Sequence, residues 1–319
     1  MSVAGLITCD RDLNETCEQI LGILLPYWRV EEWHEHPKNE YHWWFAHQYN
    51  VIRDFVSEDA PITFTLPAFP CKSPNRKKTL SSLPDMGELL SLRFLDGLCK
   101  RIKEIYEPGA RMLICSDGHV FGDLIRVPDA HIDSYGNALR AMIETQGLDN
   151  IDTFSLEHVY GACGYDDKRR LLMAEFGEPA QSLRAEVHAG GAIVSLYRGV
   201  TRFLLEDAAG YEGSRAALQR ECRARAYEVI RRSRAWGELV ARHHPRSLRM
   251  SIHPQSCGSA KFGIALLDSL DSWLTPWHSV ALQCTDGRFV LMKRTDAEQV
   301  GELVYRNGLP SHYVVASAA

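Results

Sequence analysis

The stretch RMLICSDGHVFGDL, residues 111–124, places an apolar run directly before a cluster of polar side chains. Residues 112–115 have the composition of a buried strand, and the run stops abruptly at SDGH, residues 116–119. Because ligands of open α/β sheets bind at the carboxyl ends of strands, the stretch predicts a buried strand with a site at its end. A hairpin with an Asp-Gly turn is the alternative local structure, and it would not exclude a site.

The composition is that of a globular protein with a large core. Of the 319 residues, 45% are hydrophobic and 24% are charged, and the net charge of −5 argues against a nucleic-acid-binding surface. No apolar run approaches the ~18 residues of a membrane helix, and the N-terminus lacks the basic start of a signal peptide. Nine scattered cysteines without a CxxC pair predict reduced thiols. We therefore expect a cytoplasmic protein without nucleic-acid or membrane partners.

Helical and strand periodicities alternate along the chain, which indicates an α/β fold. Helices are predicted over residues 10–28, 38–56, 84–107, 128–146, 168–177 and 213–243, and strands over residues 61–68, 112–115 and 248–253. Near the C-terminus, Asp286-Gly287 separates two apolar runs and predicts a structural hairpin. Asp117-Gly118 lies among polar residues instead, so we place the site at residues 116–123.

The loop FPCKSPN, residues 69–75, presents polar groups from a backbone that its two prolines hold extended. Three of its side chains suit an anionic oxygen: Lys72, Ser73 and Asn75. An ordinary basic loop is the alternative. The lysines that follow, Lys77 and Lys78, are expected to be solvated charges.

Several common catalytic signatures are absent: there is no P-loop, no HExxH, no GxSxG and no GxGxxG. Arg169 and Arg170 can bind a carboxylate or phosphate, or can lie at a solvated helix start. His34 and His36 form an HxH pair, but without a third ligand we favour a solvated loop. The remaining polar residues suit proton transfer and anion binding without a cofactor: Lys72, Ser116, Asp117, His119, Asp123, His253, Lys261 and His278.

Four blocks together resemble the isocyanide (isonitrile) synthases, the family of pyoverdine/dityrosine biosynthesis proteins. SDGHVFGD, residues 116–123, is similar to the SDGxxFxD signature of that family. The other blocks are FPCKSPN at 69–75, SIHP at 251–254 and PWHSV at 276–280, and the likeness extends from about residue 60 to the end. Cys71 departs from the bulkier apolar residue expected there, which affects packing rather than chemistry.

The resemblance implies a Rossmann-like core. We therefore expect an α/β fold with a Rossmann-like mixed sheet flanked by helices and with a C-terminal hairpin. Residues 1–60 are expected to form an N-terminal helical segment packed on a Rossmann-like catalytic domain of residues 61–319.

The resemblance also implies a reaction. Family members condense the amino group of tyrosine or tryptophan with the ketone of ribulose 5-phosphate, whose C2 becomes the isocyanide carbon. The chain is thus expected to be an isonitrile synthase of the carbon–carbon lyase type, without cofactor or metal, whose partners are an aromatic amino acid and ribulose 5-phosphate. An N-formyl amino acid-forming enzyme of this family and a non-enzymatic metal- or sugar-phosphate-binding protein are the alternatives. The oligomeric state, a homodimer included, stays open.

This chemistry needs acid/base groups and sites for a phosphate and a carboxylate, which the matching positions supply. The candidate catalytic residues are Asp117, His119, Asp123, His253 and His278. The candidate substrate-binding residues are Lys72, Ser73 and Asn75 for the sugar phosphate, Arg169 or Arg170 for the amino-acid carboxylate, and Ser116, Lys261 and Trp277 for the rest of the pocket.

Overall fold

The computed structural model describes residues 3–31, 44–208, 210–269, 271 and 274–315, with side chains from residue 12 onward. Its α-helices are α1 (Val3–Leu24), α2 (Ala46–Ser57), α3 (Met86–Ile105), α4 (Gly118–Ile125), α5 (Asp129–Thr145), α6 (Leu156–Tyr160), α7 (Tyr165–Phe176), α8 (Ala180–Ala189), α9 (Ala192–Glu206), α10 (Arg215–His243) and α11 (Arg294–Val300). Its strands are β1 (Ile62–Leu66), β2 (Ala110–Cys115), β3 (Ile151–Phe154), β4 (Leu248–Ser251), β5 (Phe262–Gly263), β6 (Val280–Gln283), β7 (Phe289–Met292), β8 (Gly301–Arg306) and β9 (Leu309–Val315). Short 3-10 helices cover Leu25–Tyr27 and Pro276–His278.

A parallel five-stranded sheet forms the centre of the fold, in the order β3-β2-β1-β4-β5. β1 pairs with β2 over its whole length and, on its other side, pairs with β4 at Phe64 and Leu248. The chain moves outward from β1 to β3 and then returns to the other side of β1 at β4. The carboxyl ends of β1 and β4 therefore flank the switch point at which ligands of such sheets bind.

Helices pack on both faces of this sheet, and the apolar run of β2, Met112 to Cys115, contributes side chains to both interfaces. One face packs against α1, α2, α3 and α5, and there Phe64, Met112 and Leu95 are fully buried. On the other face, Trp236 of α10 stacks on Phe154 of β3, with ring centroids 5.8 Å apart.

A second sheet, in the order β7-β6-β9-β8, joins two antiparallel hairpins through a parallel pairing of β6 with β9. The β6–β7 hairpin turns at Asp286-Gly287, where Gly287 has a φ of 84°. The predicted α/β class, the helix-flanked sheet and the C-terminal hairpin are thus confirmed. Mixed pairing occurs in this second sheet, whereas the described strands of the main sheet are all parallel.

The N-terminal helices share the core of the main sheet. Ile20 and Leu24 of α1 and Ile52 of α2 belong to the same buried cluster as β1 and β2. The boundary at residue 60 stays a prediction. The HxH pair and the start of the predicted 38–56 helix lie outside the described residues. None of the described helices combines the length and the apolar character that a membrane span requires.

Two local predictions differ from the structure. Residues 118–125 form a helix directly after β2, so the hairpin alternative at Asp117-Gly118 is wrong. Helices α8 and α9 were not predicted, because Gly190 and Gly191 interrupt the periodicity; both have positive φ, 97° and 87°, and form the break between the two helices. By contrast, the predicted helix over residues 84–107 is confirmed as α3, which begins at a capping box of Asp85 and Glu88, residues spaced by three in the sequence.

Gly118, the first residue of α4, has no room for a side chain. A Cβ there would lie 2.1 Å from the Pro70 carbonyl oxygen and 2.7 Å from Cγ2 of Ile132. We expect Gly118→Ala to lower the free energy of unfolding by about 1–3 kcal/mol or more, as overpacking does. Urea unfolding measures the change. The control is Gly97→Ala on α3, where the added Cβ meets no atom within 4 Å; it should be neutral or stabilise by up to ~1 kcal/mol. Equal losses in both variants would contradict this explanation.

Candidate active site

The candidate site lies where the loops after β1, β2 and β4 meet at the carboxyl edge of the main sheet. These loops carry three of the four sequence blocks, and the 3-10 helix Pro276–His278 carries the fourth. That helix packs on the first loop: the Ser73 N–H donates to the Trp277 carbonyl at 2.8 Å, and the rings of Phe69 and Trp277 lie 5.1 Å apart. The fold therefore brings blocks that are distant in sequence to one edge.

The loop after β1 and the turn after β2 contact each other next to Asp117. Ser116 Oγ donates to the Phe69 carbonyl at 3.1 Å, and Gly118 lies against the Pro70 carbonyl. Phe69 itself has a φ of 54°, a left-handed value that is rare for a bulky residue and that clusters at functional sites. Asp117 is thereby held at a defined position beside the loop after β1.

The carboxyl group of Asp117 has an unusual environment. It makes no capping bond to α4, and water reaches the residue only in part. Burial raises the pKa of Asp117 to about 7, and a hydrogen bond from its own backbone offsets only a fraction of that effect. A carboxyl group that titrates near neutral pH can both donate and accept a proton during turnover.

Lys72 is completely buried and already has three partners. Its Nζ lies 2.8 Å from Asp85 Oδ2 and 2.8 Å from Glu88 Oε2, and it donates to the Pro276 carbonyl at 2.9 Å. Tyr135 donates to the other oxygen of Glu88 at 3.1 Å. Burial raises the pKa of Glu88, although the charge of Lys72 acts in the opposite direction, and the nearby Asp85 raises it further. An ammonium has three donors, so the predicted contact between Lys72 and a phosphate has no donor available.

Asp207, at the end of α9, organises the rest of the loop after β1. This buried carboxylate accepts from Ser73 Oγ and from Lys78 Nζ, both at 2.7 Å. Lys78 also pairs with Glu206 at 2.9 Å and is buried, so the expectation that it is a solvated charge was wrong. Asn75 Nδ2 donates to the Glu206 carbonyl at 2.8 Å. Ser73 and Asn75 therefore bind protein groups.

His278 faces the same carboxylate. Its Nε2 lies 3.9 Å from Asp207 Oδ2, and its Nδ1 lies 3.2 Å from Thr275 Oγ1. Burial lowers the pKa of His278 to about 4, although Asp207 acts in the opposite direction. His253 is close enough to His278 to contribute to the same decrease. At neutral pH the imidazole is therefore neutral, so that one ring nitrogen can donate and the other can accept a hydrogen bond.

His253 lies in the loop after β4. Water reaches the residue, yet the protein crowds its ring closely enough to lower the pKa to about 4, and Arg29 and Lys261 add to the effect. Lys261 has a lowered pKa as well, first through burial and then through Arg249, against the effect of Glu238. Lys261 directly precedes β5, which pairs with β4, and is close enough to His253 to contribute to its lowered pKa.

His119 belongs to a second polar group, between α4, α5 and α7. Its ring stacks on Tyr165 with centroids 3.8 Å apart, and its Nε2 lies 3.1 Å from Asp133 Oδ1. The Tyr165 hydroxyl donates to the same carboxylate. Burial lowers the pKa of His119 against the pull of Asp133. The ring is therefore fixed by protein contacts on its face and at one nitrogen.

Arg169 occupies the centre of this second group. It pairs with Asp129 and with Asp166, the latter at 2.9 Å, and donates from Nε to the His119 carbonyl at 2.7 Å. Its side chain is 6% exposed, so its donors are committed to the protein and the predicted contact with a substrate carboxylate has little room. Arg170, in contrast, points into solvent and pairs with a neighbouring aspartate on α7.

Asp123 is likewise occupied by arginine. Arg232 of α10 binds both of its carboxylate oxygens, at 2.5 and 2.9 Å, and Arg169 Nε lies 3.4 Å away. Such a bidentate pair fixes α4 against α10. The structure thus separates the predicted residues into two groups. Those at the switch point are Lys72, Ser73, Asn75, Ser116, Asp117, His253, Trp277 and His278. Those in the second polar group are His119, Asp123 and Arg169. The roles assigned to them stay predictions.

Sequence reasoning missed four residues that these groups depend on: Lys78, Asp133, Tyr165 and Asp207. Their polar character is visible in the sequence, but their partners lie on other elements. Asp207, for example, is 134 residues from its partner Ser73. Among the described residues, no group of three or more His, Cys, Asp or Glu side chains is arranged to hold a metal ion. Burial raises the pKa of Cys71 and Cys115, the cysteines nearest Asp117, which disfavours thiolate chemistry there.

Comparison with known proteins agrees on one family. A family model described as "Pyoverdine/dityrosine biosynthesis protein" matches residues 52–304. The chain is 50% identical to the L-tyrosine isonitrile synthase of Pseudomonas aeruginosa over 84% of each chain. It is 44% identical to the L-tryptophan isonitrile synthase AmbI2 of Fischerella ambigua, over 82% of this chain and 80% of that relative. The crystal structure of the PvcA protein from P. aeruginosa superposes with a TM-score of 0.87 at 47% identity, over 94% of this chain and 99% of that one.

The raised pKa of Asp117 predicts a pH dependence of stability. Between about pH 4 and 7 the folded state keeps a proton that the unfolded state releases, so this residue makes the free energy of unfolding fall as the pH rises. We expect Asp117→Asn to remove that slope, as measured by urea unfolding across this range. Asp286→Asn is the control: hydrogen bonds from Arg288 lower the pKa of Asp286, and a lowered pKa cannot make stability fall as the pH rises. An unchanged slope in Asp117→Asn would contradict the assignment.

Proposed function

Because the chain belongs to the pyoverdine/dityrosine biosynthesis protein family, we propose that it is an isocyanide synthase. It converts the amino group of an aromatic L-amino acid to an isocyanide and takes the carbon from ribulose 5-phosphate. The observation that carries the proposal is the 50% identity to an L-tyrosine isonitrile synthase over 84% of both chains. The family match, residues 52–304, also includes all four blocks that meet at the sheet edge.

Tyrosine and tryptophan are both proposed as substrates. Identity to relatives named for tyrosine is 50% and 42%, and identity to relatives named for tryptophan is 44% and 41%. These ranges overlap, so overall similarity favours neither amino acid. The choice depends on the side chains that line the amino-acid pocket.

The protonation states at the switch point support this chemistry. An amino acid's ammonium must lose a proton before its nitrogen can attack a ketone, and later steps move further protons. Asp117 titrates near neutral pH, whereas His253 and His278 are neutral there. We assign proton exchange to Asp117 and hydrogen bonding to the reacting groups to the two neutral histidines.

Lys72 acts in this proposal through the residues that it holds. It donates to the Pro276 carbonyl, and the adjacent Ser73 N–H donates to the Trp277 carbonyl. These two bonds fix the segment that carries His278. We therefore propose that Lys72 and Ser73 are positioning residues for His278, in place of direct ligands of the sugar phosphate.

The proposed reaction can be tested with a labelled sugar. The purified protein is incubated with ribulose 5-phosphate carrying ¹³C at C2 and with tyrosine or tryptophan in separate reactions. We expect a product whose new isocyanide carbon carries the label, detected by mass spectrometry and ¹³C NMR. An N-formyl product formed without a preceding isocyanide, which contains one more water, would point to the formyl-forming branch. Consumption of neither sugar nor amino acid would contradict the proposal.

Asp117→Asn tests the proposed proton exchange. An amide still accepts hydrogen bonds but takes up no proton at neutral pH, and acid/base groups contribute typically ~10²–10⁴-fold. We expect the variant to bind the amino acid and to lose at least ~100-fold in kcat. Asp286→Asn, in the exposed β6–β7 turn, should stay within about threefold, as surface changes usually do. Equal effects in the two variants would contradict the placement of the site.

A further inference from the structure

A small pocket opens beside the candidate site, between the loop after β1 and the start of α5. It is lined by Cys71, Lys72, Ser73, Pro74, Arg76, Ser82, Val127, Pro128 and His131, and it holds about 170 Å³. No aspartate or glutamate is among these residues. Pro70, directly before the pocket wall, contacts Gly118, so the pocket adjoins the turn that carries Asp117.

Three polar side chains of this pocket have no partner among the described residues: Arg76, Ser82 and His131. They come from three places, the loop after β1, the segment before α3 and the first turn of α5. Arg76 and His131 are exposed, and Ser82 is half-buried. Together they offer a guanidinium fork, a hydroxyl and an imidazole, which are groups that bind phosphate oxygens.

The other polar groups of the same loop are already committed. Lys72 uses all three of its donors, Ser73 Oγ and Lys78 both bind Asp207, and Asn75 binds a backbone carbonyl. Binding a phosphate with any of them would require breaking a contact within the protein, and the contacts of Lys72, Ser73 and Lys78 are buried. Arg76 is the cation that lines the pocket without such a contact in the described part of the chain.

We infer that this pocket binds the phosphate group of a sugar phosphate, with Arg76 as its main ligand and with Ser82 and His131 as further donors. The identity of the sugar phosphate rests on the proposed function, whereas the binding of a phosphate group in this pocket does not. Binding there places the phosphate beside the loop after β1, in which Pro70 lies against the turn that carries Asp117. A phosphate dianion matches a pocket that offers a guanidinium, a hydroxyl and an imidazole and that has no carboxylate in its lining.

Direct binding tests the inference independently of turnover. Titration calorimetry with ribulose 5-phosphate and, separately, inorganic phosphate is carried out on the wild type, Arg76→Gln and Lys77→Gln. Loss of a charge-assisted hydrogen bond should raise the Kd of Arg76→Gln for both ligands at least ~10-fold. Lys77 is the adjacent exposed lysine, which does not line the pocket, so Lys77→Gln should bind as the wild type does. Arg76→Lys should recover part of the affinity.

Kinetics separate this inference from the proposed reaction. If isocyanide forms, Arg76→Gln should raise the KM for ribulose 5-phosphate and leave the KM for the amino acid unchanged. A raised KM for the amino acid alone would assign the pocket to the carboxylate and overturn the phosphate inference. Equal Kd values in the wild type and Arg76→Gln would overturn it too, whether or not isocyanide forms. Weaker phosphate binding without isocyanide formation would support the pocket and contradict only the reaction.

Discussion

The buried ammonium of Lys72 holds together three parts of the chain. Asp85 and Glu88, which accept from it, also form the capping box of α3, so that one pair of carboxylates both begins a helix and anchors the loop after β1. Its third donor reaches Pro276, 204 residues away. Removing one partner of a buried ion pair typically costs about 3–5 kcal/mol, because the other charge is left without compensation. The loop cannot shift unless α3 and the segment before β6 shift with it.

The acid/base groups of the site inherit their positions from this anchored loop. Phe69 accepts from Ser116 and so fixes Asp117, while Ser73 binds both the Trp277 backbone and Asp207, which faces His278. Each of these bonds joins elements that lie far apart in sequence. Preorganised donors and acceptors of this kind need no rearrangement when a substrate binds. Within the same loop, Lys72 and Ser73 are held by buried contacts, whereas Arg76 is exposed and has no side-chain partner in the described part of the chain.

The block at residues 116–123 serves two purposes. Asp117 precedes α4 and stays without a side-chain cap at the sheet edge, whereas His119 and Asp123 lie within α4. There they bind Asp133 and Arg232 and join α4 to α5 and α10. Arg169 completes this network with its carboxylate partners, so most of the charge in the second group is neutralised inside the protein. One short block thereby supplies both a reactive carboxyl group and the ion pairs that fix the helix behind it.

Local sequence determined the elements and the position of the site. Hydrophobic periodicity located β1, β2 and β4 and the long helices, the capping residues located the start of α3, and the apolar run before SDGH located the carboxyl edge. Only the tertiary structure decided which polar residues are free. Four side chains of the kind that binds ligands are instead bound by protein groups, and each has a partner that is distant in sequence. They are Lys72, Ser73, Asn75 and Arg169. The reason is physical: periodicity and capping act over one or two turns, whereas burial and ion pairing depend on which elements the folded chain brings into contact.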